Sequence, residues 1–143
     1  IIAFQRPPAW WFETPQVLGV DWEGDPPVLV QIACEAGVYI DRTTDSFAKS
    51  ILEDKRHTHC VFGAHEVPMC ANGVNVQQNK RVGLAEQTSR TWCPLFRLVK
   101  QRPLDIAWDA PPLPFSALQY AAMDAEVTRR FGLRRGYGSC VKQ

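Results

Sequence analysis

At 143 residues, with 45% apolar and 22% charged side chains, the chain has the balance of one soluble globular domain, which excludes a disordered polypeptide. No apolar run approaches the roughly 18 to 20 residues that cross a bilayer, which excludes a membrane-spanning helix. The net charge of +1 conceals an asymmetry: residues 1–66 carry ten acids and five bases, and residues 67–143 carry five acids and eleven bases. Such a split can combine a cation site with a track for phosphates, and it also arises from ordinary surface charge. Five cysteines (Cys34, Cys60, Cys70, Cys93 and Cys140) form no C-x-x-C pair and read as reduced thiols of an intracellular protein. Their spacings with His57, His59 and His65 fit no zinc pattern. The chain starts at Ile1 rather than a methionine, which leaves room for a leader removed upstream.

Residues 1–16 hold three prolines and the Trp10-Trp11 pair, and read as an extended arm that packs aromatics onto a domain spanning 17–143. Val17 to Trp22, Val28 to Cys34 and Val38 to Asp41 are β-type runs. The turns at Asp25-Pro26-Pro27 and Ala36-Gly37 are short, so these runs form an antiparallel meander. From Thr44 the period lengthens: Thr44 or Asp45 can cap a helix reaching about Lys55, with Phe47, Ala48, Ile51 and Leu52 on one stripe. His59 to Gly63 reads as a fourth strand, parallel to its neighbour because a helix precedes it. A short helix over 64–72, broken by Pro68, a brief strand over 73–77 and a helix over 82–92 follow. His57 and His59 read as surface residues near a loop. After a proline-rich stretch over 108–114, Phe115, Leu118, Ala122, Ala125 and Phe131 mark the longest helix. The order describes an α/β domain, a mixed sheet with helices packed on it.

Two constellations carry chemistry. Asp21 and Glu23 stand one residue apart on the first strand of the meander, so both carboxylates project to one side and Trp22 to the other. Paired carboxylates repel unless a cation sits between them, and an all-oxygen donor set suits Mg²⁺ or Mn²⁺. Tyr120 and Asp124, four apart, lie one turn apart on one helix face. A tyrosine hydroxyl there can position an attacking water or simply donate to a neighbouring aspartate.

Together these residues resemble the DEDD-type 3′–5′ exonucleases with a tyrosine in the third motif, on a ribonuclease H-like fold, and within them the ribonuclease D-like branch. The resemblance rests on Gly19-Val20-Asp21-Trp22-Glu23, Val30-Gln31-Ile32-Ala33, Ile40-Asp41, Gly83-Leu84-Ala85 and Leu118-Gln119-Tyr120-Ala121-Ala122-Met123-Asp124-Ala125. Trp108 and Pro112-Leu113 precede the last motif as the family's approach to it does. The resemblance implies two divalent cations, Mg²⁺ or Mn²⁺, bridged by Asp21 with Glu23 and Asp124 completing their shells. It implies that Tyr120 orients the water and that nucleoside 5′-monophosphates leave from the 3′ end of single-stranded RNA, with DNA as an alternative substrate.

One departure stands out. The family's second motif places an aspartate early in the helix after the fourth strand, where this chain reads Ala64-His65-Glu66-Val67-Pro68. Glu66 is the nearby carboxylate and a candidate substitute; His65 is a second. A lost second motif would instead leave a nucleic-acid-binding scaffold on the same fold. Trp22, Phe62 and His65 are candidates to stack the terminal base if they line the cleft, with core packing the better reading of Phe62. Arg129 and Arg130, with Arg134, Arg135, Lys80, Arg81, Arg97, Lys100 and Arg102, are candidates to grip phosphates.

Overall fold

The computed structural model describes residues 1–92, 106–110 and 112–137; Cys93, Arg97, Lys100, Arg102, Pro111 and Cys140 lie outside them. A six-stranded sheet runs through the described residues: β1 (Ile2–Phe4), β2 (Val17–Glu23), β3 (Leu29–Ala33), β4 (Val38–Arg42), β5 (Thr58–Val61) and β6 (Gly73–Asn75). Its spatial order is β1-β4-β3-β2-β5-β6. The pairs β2–β3 and β3–β4 are antiparallel, while β1–β4, β2–β5 and β5–β6 are parallel. This is the mixed sheet of a ribonuclease H-like fold, with the expected meander at its centre. The helices are α1 (Ser46–Leu52), α2 (Leu84–Thr91) and α3 (Phe115–Arg134).

The arm differs from the irregular segment expected of residues 1–16. Ile2–Phe4 adds an edge strand to β4, and Ala9–Phe12 forms a single 3-10 turn. Trp11 and Phe12 are buried, and Phe12 packs on Tyr39 and Phe47, so the aromatics complete a core; Trp10 stays exposed. Asp45 caps α1 by accepting from the Ala48 N–H at 3.0 Å, but the helix stops at Leu52, three residues short of expectation. The segment after β5 is a 3-10 helix (Ala64–Met69) with Pro68 inside it. Proline removes an N–H and clashes with the preceding turn, so no α-helix forms there.

The central strands are buried on both faces because each face is covered. On one side Leu18, Val20, Val30, Ile32 and Tyr39 pack with Trp11, Phe12, Ala48 and Ile51. On the other, Leu29, Ala33, Val38 and Ile40 meet Ala122 and Ala125 of α3, and Val17 meets Val127 and Phe131. Small side chains let this helix lie close to the sheet. At Gly19 the approach is closest: a Cβ there would collide with the Ala125 carbonyl oxygen and the Arg129 amide nitrogen. The contact holds α3 down on β2 just where the acidic residues of both elements begin.

Candidate metal centre

Side chains alternate along β2, so Val17, Gly19, Asp21 and Glu23 point toward α3 while Leu18, Val20 and Trp22 point away. Pairing extends this pattern across the sheet, since Asp21 stands opposite Gln31 and Glu23 opposite Leu29. From above, α3 lowers Asp124 onto the same spot, about a hundred residues away along the chain. One carboxylate oxygen from each of Asp21, Glu23 and Asp124 lies within 4.8 Å of the other two. Asp124 is buried, and Asp21 and Glu23 are half-buried. Tyr120 is half-buried one turn before Asp124 on α3.

Electrostatics make this crowding costly. Burial, then the charges of Asp124, Glu23 and Glu66, hold the Asp21 carboxyl well above the usual carboxylate range. Glu66 therefore lies close enough for its charge to reach Asp21, although it is not part of the three-carboxylate group. Burial pushes Glu66 itself up to about 7. Its Oε1 is buried with no hydrogen-bond partner among the described residues, and its Oε2 sits 3.9 Å from His65 Nε2. The donor set consists of carboxylate oxygens without sulfur or imidazole, which fits a hard divalent cation. Such a cation would relieve the repulsion that raises Asp21. Among the described residues this is the group of acids and metal-ligating side chains that could hold an ion.

Trp22 packs from the opposite face of the sheet against the core that holds Leu18 and Val20. Phe62 packs against Val17, Cys60, Val76, Val127 and Phe131. Both rings are used in packing because strand alternation and the turn after β5 direct them there. His65 is exposed, with a side-chain accessibility of 82%. Arg129 and Arg130 both pair with Glu126, at 3.4 and 2.9 Å. They lie more than one helical turn beyond Asp124, on the stretch of α3 that crosses Gly19. Arg135 donates to the Asn75 and Val76 carbonyls, tying α3 to β6.

Some residues were not legible as they stand. His57 and His59 are fully buried, not at the surface. His57 Nδ1 accepts from the Gln16 N–H, and His59 contacts the Ile51 carbonyl and the Asn72 N–H. Gln31, which the family resemblance includes without a role, is fully buried opposite Asp21. Its signal was available: a glutamine in an otherwise apolar strand.

No family profile matches the chain, and no curated protein sequence matches it. Among solved structures it is similar to Brucella melitensis NrnC bound to pGG, at 16% identity and a TM-score of 0.62, over 99% of this chain and 86% of that one. A second match, the EXD2 exonuclease domain soaked in Mn and GMP, has 20% identity over 85% of this chain and 77% of that one. Its TM-score of 0.36 is too low to bear on the fold. The similarity to NrnC is one of architecture: the two chains share the ribonuclease H-like fold, with its mixed sheet and covering helices.

Proposed function

We propose that this chain is a divalent-cation-dependent 3′–5′ exonuclease of the DEDD type with a tyrosine in its third motif, within the ribonuclease D-like branch. The observation that carries the reading is the convergence of Asp21, Glu23 and Asp124, from β2 and α3, within 4.8 Å. The fold shared with NrnC, which was solved with pGG, supports a nucleic acid as the ligand. The preferred substrate is the 3′ end of single-stranded RNA.

Bound there, two Mg²⁺ or Mn²⁺ ions would supply Lewis acidity at the scissile phosphate and neutralise charge on the leaving oxygen. Asp21, Glu23 and Asp124 would hold them. Glu66 stands in for the absent second-motif aspartate, its longer arm compensating for the 3-10 segment that carries it. The Tyr120 hydroxyl, one turn from Asp124, orients the attacking water. The water oxygen bonds to phosphorus, the P–O3′ bond breaks, and a proton ends on the departing 3′ oxygen. The product is a nucleoside 5′-monophosphate.

The test is digestion of matched 5′-labelled RNA and DNA oligonucleotides with Mn²⁺, with Mg²⁺ and with chelator. Stepwise shortening from the 3′ end is expected, with RNA preferred. Asp21→Asn and Asp124→Asn are each expected to slow it by at least about a hundredfold, because each removes a negative charge that would hold the cations needed to neutralise the phosphate transition state. Undiminished shortening in both variants would refute the assignment. A second reading, a nucleic-acid-binding scaffold, is favoured by Val67-Pro68 where the family carries its aspartate. RNA retention in a gel-shift assay with no cleavage under either cation would select it.

A further inference from the structure

Gln31 is fully buried, yet neither its side-chain oxygen nor its nitrogen has a hydrogen-bond partner among the described residues. Leaving both ends of an amide unpaired in an apolar interior is unfavourable, and such groups are uncommon in native proteins. The sheet register shows where the amide sits. Gln31 pairs with Asp21 across β2–β3 and with Ile40 across β3–β4, so the three side chains form one row beneath α3. Along β3 its neighbours on this face are Leu29 and Ala33, which pack on Ala122 and Ala125. Of these sheet neighbours, Asp21 alone is polar. An apolar side chain would fill the place of Gln31 without the desolvation cost, which the meander's packing gives no reason to accept.

Resting on the cation-binding reading of the acidic cluster, we infer that Gln31 is a positioning residue for that site: its buried amide, unpaired among the described residues of the cation-free protein, donates a hydrogen bond to the Asp21 carboxylate once the ion is bound and orients it there. A carboxylate that holds a cation must be kept in one rotamer. Gln31, its fully buried cross-strand neighbour, is placed to do this. Partners of this kind typically change metal affinity by about 10- to 100-fold when removed. Gln31 touches neither substrate nor ion, so its effect reaches the site only through Asp21.

The experiment is a Mn²⁺ titration followed by electron paramagnetic resonance, in which the signal of free Mn²⁺ is lost on binding. Wild type, Gln31→Met and Gln31→Leu are compared, and the thermal midpoint of each is recorded without metal. The inference expects both variants to bind Mn²⁺ at least about tenfold more weakly, with metal-free midpoints equal to or above that of wild type. A purely structural amide predicts the same gain in midpoint with unchanged Mn²⁺ affinity, and that result overturns the inference. Methionine preserves the side chain's length, so it decides the matter if the leucine variant does not fold. Failure of both to fold would assign the amide to the core and also overturn it. Should wild type itself bind no Mn²⁺, the cation-binding reading fails; unchanged affinity in the variants fails only the role of Gln31.

Discussion

Glu66 is where a single side chain is most exposed to test. Burial raises it from the ordinary glutamate range to about 7, so the folded protein holds its proton over a pH interval in which the unfolded chain has released it. Stability of the cation-free protein therefore falls as pH rises from about 4.5 to about 7, by on the order of 3 kcal/mol from this group. Glu66→Gln removes that dependence. Urea unfolding across this range, with chelator present, should show wild type losing stability relative to the variant as pH rises; parallel profiles would contradict the assigned burial. At this scale the spacing of acids was readable because alternation on a strand and one turn of a helix are local geometry. That logic placed Asp21 with Glu23 and Tyr120 with Asp124. It misjudged His57 and His59, whose burial depends on Gln16, Ile51 and Asn72, partners that no local pattern specifies.

At the scale of elements, β2 and α3 decide the site. Neither carries it alone: β2 supplies two carboxylates and α3 the third. Their separation is set at Gly19, where the helix backbone leaves no space for a side chain. Gly19→Ala is expected to destabilise the fold by about 1–3 kcal/mol through overpacking, read from the urea midpoint. By displacing α3 it should also weaken Mn²⁺ binding, although the glycine has no ligand atom. A stability change within about 0.5 kcal/mol would show that the helix does not depend on this contact. Elements with a clean period were legible, including the meander, the α1 cap and the length of α3. The β1 strand was not, because three residues beside a proline pair have no periodicity of their own and become a strand only by pairing with β4. Pro68 was legible as a breaker, and the structure shows its result, a 3-10 segment that presents Glu66.

For the whole molecule, the acidic cluster is a source of repulsion that the fold tolerates, so a bound cation should stabilise the native state specifically. At a free Mn²⁺ concentration about a hundred times Kd, mass action adds about 2.7 kcal/mol. This should raise the thermal midpoint by several degrees, reversibly with chelator. Asp124→Asn should abolish most of the shift, and a midpoint indifferent to Mn²⁺ would count against a cation site. The amino-acid sequence by itself determined which stretches with a clean period become strands and helices, which acids share a face, and that an aspartate is missing from 64–68. It could do so because those properties depend on periodicity and residue type within a few positions. Only the tertiary structure decided that Asp124 comes down on Asp21 and Glu23, that Trp22 is used in packing, and that Gln31 lies beside Asp21 with no partner among the described residues. Those outcomes depend on how closely α3 lies on the sheet and on the register of β2 against β3, which are set by contacts between residues far apart in the chain.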